Sequence, residues 1–211
     1  MIPEKLKYSY QKDLLVKHLC DLSDDDKFLR FGYHASVDYI LSYVEKTWDE
    51  KGNRWFGIFD DDKLVASLHC AMIERTGAEM GCTVDPEYRG NGYGQALFDR
   101  GLTWCRSNGA NHIYMHCLTQ NKVIQHIAKK NGMNVIPQGW EEKEAHLKFD
   151  RPDYAAPMHD VICDRIAAVD EFYRSQRQIL KTLLTPLNIS HGKAKNKNGK
   201  KPSKLHSSKK G

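Results

Sequence analysis

Paired cysteine spacing is missing from this chain. Its six cysteines, Cys20, Cys70, Cys82, Cys105, Cys117 and Cys163, are scattered through apolar-periodic segments with no CxxC pair. That pattern excludes a zinc ribbon and a disulfide-framed fold, and it leaves reduced core thiols. Long apolar runs are missing too, since none approaches the ~18 residues of a membrane span. The opening Met1-Ile2-Pro3-Glu4-Lys5 lacks the basic-then-apolar order of a signal peptide. The expectation is a cytoplasmic protein with no membrane partner. No internal repeat is visible, and 211 residues suit one medium domain with an appendage better than two full domains.

Acid is absent from residues 190–211, which hold eight lysines; taking that +8 from the net charge of +5 leaves −3 on the rest of the chain. A tail of Lys, Gly, Asn and Ser cannot bury enough apolar surface to offset its ordering entropy, so disorder is expected over residues 189–211. Two readings of it stand: an electrostatic arm for nucleic acid or another acidic surface, and a solubilising terminus with no partner.

Ahead of the tail, Ile162, Ile166, Val169, Tyr173, Gln176, Leu180 and Leu183 recur at spacings of 4 and 3, a heptad seam with one polar interruption. A helix is predicted from Met158 to Leu184, with Pro157 in its first turn and Pro186 as its stop. The seam can zip to a second copy, making a homodimer, or lie across its own domain in a monomer; the second is favoured, because three heptads with Gln176 inside make a short coiled coil.

The remainder reads as α/β. Helical periodicity covers Lys12 to Leu22 and Ser36 to Trp48, with Ser36 as an N-cap. Strands are predicted for Arg54 to Phe59 and Leu64 to Ile73, joined at Asp60-Asp61-Asp62-Lys63, and for the segment bearing Glu79. Helix, strand, helix and strand follow at Leu97 to Cys105, Ile113 to Leu118, Lys122 to Lys130 and Ala145 to Phe149.

Between the Glu79 strand and the next helix lies Val84-Asp85-Pro86-Glu87-Tyr88-Arg89-Gly90-Asn91-Gly92-Tyr93-Gly94. Three glycines at alternate positions permit turns with positive φ and close backbone approach, while the helix that follows offers unpaired amides and a positive dipole end: an anion cradle. Arg89 adds a charged donor at its mouth. A dinucleotide fingerprint would need glycine at position 95, which is Gln, and an acid at the end of the next strand, which His112 to Leu118 lacks. No Gly-Lys-Ser/Thr is present for a nucleotide P-loop.

The pattern Arg89-x-x-Gly92-x-Gly94 resembles the acyl-CoA pyrophosphate loop of the GNAT acetyltransferase superfamily. Upstream, Glu79-Met80-Gly81-Cys82-Thr83-Val84 resembles that family's fourth strand; downstream, Asn121 to Met133 resembles its Asn-led helix, and the likeness spans roughly residues 10 to 149. It implies the GNAT fold, a central mixed but mostly antiparallel sheet flanked by helices, over residues 1–150. A C-terminal helical extension over 151–188 and the Lys-rich tail complete the expected organisation.

The resemblance further implies an N-acetyltransferase that passes an acetyl group from acetyl-CoA to a primary amine by direct attack, without a metal. Residues Arg89, Gly90, Asn91, Gly92, Tyr93 and Gly94 would hold the pyrophosphate; Cys82, Thr83, Val84 and Asn121 would border the pantetheine arm. Glu79 would assist deprotonation of the amine, a step needed because freeing an amine of pKa near 10.4 at neutral pH costs about 4 to 5 kcal/mol. Val84 follows Glu79 by five residues where six is commoner in the family, and a β-bulge would restore the register. The family's proton-donating tyrosine falls here on Ala128, and His126 points about 160° away from it on the helix. Tyr114, Cys117 or water is left to protonate the thiolate, or it leaves unprotonated. Leu29-Arg30-Phe31, with Tyr33 and Trp48, resembles the acceptor border of some members. His112 and His116 share a strand face but lack a third metal ligand. Acceptors from protein lysine to polyamine and aminoacyl-tRNA stay open. The alternative function is a catalytically silent CoA-binding or scaffolding module whose basic tail binds nucleic acid.

Overall fold

A computed structural model describes residues 2–73, 76–140, 142–150 and 153–184. The elements are β1 (Glu4–Lys5), α1 (Ser9–Asp21), α2 (Asp24–Phe31), α3 (Val37–Trp48), β2 (Asn53–Asp60), β3 (Lys63–Ile73) and β4 (Gly77–Val84), then α4 (Tyr93–Ser107), β5 (His112–Leu118), α5 (Lys122–Lys130), β6 (Asn134–Pro137), β7 (Glu142–Lys148) and α6 (Ala156–Leu184). The seven strands form one sheet in the order β1-β2-β3-β4-β5-β7-β6. Among the described residues only β4 and β5 pair in parallel, as the crossover through α4 requires. The mixed, mostly antiparallel sheet flanked by helices is thus present, with a C-terminal helix after it. The Lys-rich tail lies outside the described residues.

Two apolar layers sandwich the sheet. Phe56, Leu68, Met80, Leu97, Phe98 and Ile113 pack beneath α4 and α5, and Leu15, Leu19, Ile40, Val44 and Trp55 pack beneath α1 and α3. Alternation along β4 divides its side chains accordingly. Ala78, Met80, Cys82 and Val84 join the first layer, while Glu79, Gly81 and Thr83 face α1 to α3.

Three expectations need correction. Three helices precede the meander, not two: α2 is capped by Ser23, whose hydroxyl accepts from Asp26 N at 3.1 Å, and is stopped by Gly32 at φ 80°. The two edge strands, β1 of two residues and β6 of four ending in Pro137, were not foreseen. No bulge restores the register of β4, which pairs residue for residue with β3 from Gly77 opposite Ile73 to Val84 opposite Ala66.

Helix α6 lies across its own domain, but not through the predicted seam. The face toward the body carries Ala156, Asp160, Asp164, Ala167, Glu171 and Arg174, and its contacts are largely ionic. Arg100, only 4% exposed, donates to Asp160 at 2.6 Å and also to Asp164. Lys5 reaches the same two carboxylates at 2.8 and 2.7 Å, and Arg174 forks onto buried Glu4 at 3.0 and 2.9 Å. The seam residues Ile162, Ile166, Val169, Tyr173, Leu180 and Leu183 are all exposed.

Burial acting alone would raise the Asp160 carboxyl, yet hydrogen bonds from Lys5 and Arg100 hold it below its ordinary value of 3.8. A carboxylate with a depressed folded pKa contributes fully above its unfolded value and loses that contribution as pH falls through the folded one. Arg100→Ala should therefore lower the unfolding free energy by about 2 to 4 kcal/mol near neutral pH, a figure discounted for the partly exposed Asp164. The loss should shrink below about pH 4. Urea midpoints of both proteins across pH 3 to 8 measure it.

Candidate active site

Strand pairing between β4 and β5 runs from Gly77 opposite His112 to Glu79 opposite Tyr114 and ends there. Beyond Glu79 the two strands part. Two cavities open at the split. One, of about 590 Å³, is lined by Phe31, Tyr39, Tyr43, Glu50, Asn53, His69 and Glu79 among others. The second, of about 510 Å³, runs along Thr83, Val84, Arg89, Gly90 and Gly92 to Gln95, with Val123, Ile127 and Lys130 on its far wall. Leu29, Arg30, Cys82, Asn121 and Ile124 line both.

The second cavity has the cradle at its mouth. A short 3-10 turn over Pro86–Tyr88 leads into Arg89, and Gly90 and Gly92 both sit at φ 80°, where a side chain would be strained. Gly92 caps α4, whose first-turn amides lack helical carbonyl partners. Gly94 lies in the first turn of α4 and lines the same cavity, and a Cβ there would stand 2.9 Å from Ile127 Cδ1. Asn91 closes the turn by donating to Tyr88 O at 3.1 Å. Arg89 is held by Val84 O at 3.1 Å and by Asp26 Oδ1 of α2 at 2.5 Å. Asn121 accepts from Ile124 N at 3.2 Å, which makes it the N-cap of α5 as well as a wall of both cavities.

Around the first cavity runs a directed polar chain that sequence reasoning missed. Arg30 donates to the Tyr43 hydroxyl at 3.0 Å, that hydroxyl lies 2.8 Å from His69 Nδ1, and His69 Nε2 lies 2.8 Å from Asn53 Oδ1. Arg30 can only donate and the Asn53 oxygen can only accept, so the tautomer that satisfies every member carries its proton on Nε2. Burial, with the Arg30 charge adding to it, pushes His69 down to about 3. His69 is neutral at neutral pH and positions Tyr43 and Arg30 without acting as a base. The Arg30 guanidinium lies over Gly81, where a Cβ would come within 2.5 Å of Cζ.

A second unforeseen cluster fixes the end of β4. Thr83 Oγ1 lies 2.8 Å from both His18 Nε2 and Ser67 Oγ. His18 Nδ1 is 2.9 Å from Asp85 at an angle outside hydrogen-bonding range, and Lys63 reaches the same carboxylate at 2.8 Å. The only local signal for either cluster was polar residues at inward strand positions.

Of the other predicted residues, Glu79 lines the first cavity beside Gly81. Tyr114 is its neighbour across the last paired rung, with its ring against Gly77, and lines neither cavity. Cys117 lines the first cavity and donates to Lys143 O at 3.5 Å; burial raises its thiol. The Cys82 thiol is pushed up to about 12 by burial. Ala128, where the family carries tyrosine, is fully buried. Among the described residues no group of three His, Cys, Asp or Glu is placed to hold a metal.

A family model described as the acetyltransferase (GNAT) family matches residues 17–133. Among solved structures, the GNAT domain of S. lividans PAT is 14% identical, with 70% of this chain and 89% of that one covered at a TM-score of 0.61. Ribosomal-protein-alanine N-acetyltransferase from Brucella melitensis gives 10%, 71%, 100% and 0.59 in the same order. The protein yncA from Salmonella typhimurium, solved with its cofactor acetyl-CoA, gives 15%, 73%, 98% and 0.55. At such identities the likeness is one of fold. No curated protein matches the chain.

Gly92→Val should abolish coenzyme A binding through backbone strain, and Gly94→Val should weaken it about tenfold or more by filling the cavity wall beside Ile127. Adding Ile127→Ala to Gly94→Val should recover part of that loss. Calorimetric titration with coenzyme A reads all three.

Proposed function

Because the chain belongs to the acetyltransferase (GNAT) family, as the match over residues 17–133 shows, we propose that it transfers an acetyl group from acetyl-CoA to a primary amine by direct attack. The observation that carries this reading is the split after Glu79, where two cavities share a wall. One has an anion cradle at its mouth, and the other is lined by the acids Glu50, Glu79 and Glu142 and by aromatic rings, with Arg30, Lys46 and Lys143 also in its wall. The cradle fits a pyrophosphate, and the β4 edge freed from β5 fits a pantetheine arm with its peptide-like amides. Bound there, acetyl-CoA would supply an activated acyl group as a thioester.

The acceptor enters from the other side. An amine arrives mostly as ammonium, and Glu50 and Glu79, with the rings of Tyr39 and Tyr43, suit a cation. Glu79, at the edge of the split, takes the proton as the amine attacks. Cys82, held protonated by a pKa near 12, is no nucleophile, which favours direct attack over a covalent intermediate. The two thiols at the site are also poor donors to a leaving thiolate, since an ordinary thiol has a pKa near 8.5 and both are raised above it. That argues against Cys117 as the acid, and Tyr114 lines neither cavity, so water is left as the proton source, or the thiolate leaves unprotonated. Arg30, a fixed cation at the shared wall, stabilises the negative charge that develops on the carbonyl oxygen and then on sulfur.

Product analysis by mass spectrometry, after acetyl-CoA is incubated with a panel of protein, peptide and polyamine amines, tests the reading. Coenzyme A binding with no acetylated product would leave the silent CoA-binding module. Glu79→Gln should lower kcat roughly 10²-fold near pH 7, with partial recovery at high pH where free amine is abundant. Arg30→Met, and Gly81→Ala by displacing Arg30, should each lower kcat about 10²-fold while the KM for acetyl-CoA moves far less. Steady-state kinetics from pH 6 to 9 separate these effects.

A further inference from the structure

The outer face of α6 carries an apolar stripe, interrupted by Arg165 and Gln176. At about 100° per residue, the side chains docked on the domain centre on one side, and Ile166, Val169, Phe172, Tyr173, Ile179 and Leu180 centre on the side directly opposite, each about half exposed. A surface helix ordinarily turns its apolar stripe inward. Here ion pairs hold the inner face, so the outer stripe belongs to something else. We propose that it is the interface of a homodimer in which α6 pairs antiparallel with α6 of a second copy.

The charge pattern favours a second copy and sets the register. With Tyr173 beside Gln176 of the second copy, Val169 falls beside its Leu180 and Ile166 beside its Leu183. In that alignment Asp170 on one flank faces Arg177 of the second copy, and by two-fold symmetry Arg177 faces Asp170. On the other flank Phe172 meets Ile179. A single register thus makes an apolar seam, an apolar flank and two opposite-charge pairs. Because the docking face points away from the seam, the two domains lie on the outsides of the helix pair and do not collide. About 20 residues overlap, roughly 30 Å of helix. Seven half-exposed apolar side chains at roughly 100 Å² apiece give on the order of 700 Å² per copy, close to the ~800 Å² per partner of a standard interface.

Other occupants fit less well. Residues 185–211 contain only Leu187, Ile189 and Leu205 as large apolar side chains, too few to cover the stripe. A lipid surface would call for a wholly cationic rim, whereas the stripe is bordered by Asp170 as well as by Arg165 and Arg177.

Sedimentation velocity of the full chain over a concentration series tests the proposal. A dimer forming in the micromolar range is expected, shifted to monomer by Ile166→Asp with Tyr173→Glu; both sites are exposed, so circular dichroism and coenzyme A affinity should not change. Asp170→Arg and Arg177→Asp should each weaken the dimer, and the double exchange should restore it. A chain that stays monomeric at the highest concentration, or a dimer indifferent to Ile166→Asp with Tyr173→Glu, overturns the proposal. A monomer that floats with anionic phospholipid vesicles overturns it in favour of a lipid surface, and a dimer that the double exchange does not restore overturns the antiparallel register.

Discussion

Everything at the site depends on β4 being held from one side only. Along its full length β4 is laddered to β3, while its contact with β5 stops at Glu79. Buried backbone donors and acceptors need partners, so an edge released in the middle of a sheet must meet a ligand or solvent. The structure supports that edge from behind. Ser67, Thr83 and His18 tie its end to β3 and α1, and Arg30 rests on Gly81 from α2. The β3 ladder positions the strand, and the helices on the far face keep it from collapsing onto β5.

Helix α6 follows a different logic. Apolar contacts are non-directional and tolerate sliding, whereas a buried guanidinium shared by two carboxylates tolerates little displacement. Arg100 with Asp160 and Asp164, and Arg174 with Glu4, therefore fix both the height and the rotation of the helix. Such pairs add little net stability over an apolar contact, because desolvation offsets much of the Coulomb attraction. What they supply is orientation. The apolar stripe faces outward as a direct consequence.

The cradle was legible because its signal is local. Glycines at fixed offsets before an apolar-periodic run state their own conformation, and Gly90 and Gly92 adopt it. The β2-β3-β4 run was legible from alternation and turns, whereas β1 is two residues long and offers no alternation to read. The heptad in α6 was legible as a pattern but not in its direction, since spacing identifies a stripe and cannot say which face meets the domain. The ion pairs that decide it join residues 60 or more positions apart. Helix α2 carried readable signals, namely Ser23 before three acids and Gly32 at its end, yet it is a single eight-residue element with no fully buried side chain. The chain from Arg30 to Asn53 was beyond reach, since it joins α2, α3, β3 and β2 through side chains whose partners only the fold brings together.

That polar chain also governs which groups at the split carry charge. Burial keeps His69 neutral from below, with a pKa near 3, and Cys82 neutral from above, with a pKa near 12. Neither changes charge between pH 5 and 9, so their presence beside the reacting centre leaves its field constant. A neutral His69 of fixed tautomer lets the Tyr43 hydroxyl point its proton one way and its lone pairs toward Arg30. A protonated ring would instead donate from Nδ1, turn that hydroxyl around and repel the guanidinium. Desolvation of one histidine thereby sets the direction of the Tyr43–His69 hydrogen bond, while the bonds at the two ends keep theirs because Arg30 can only donate and Asn53 Oδ1 can only accept.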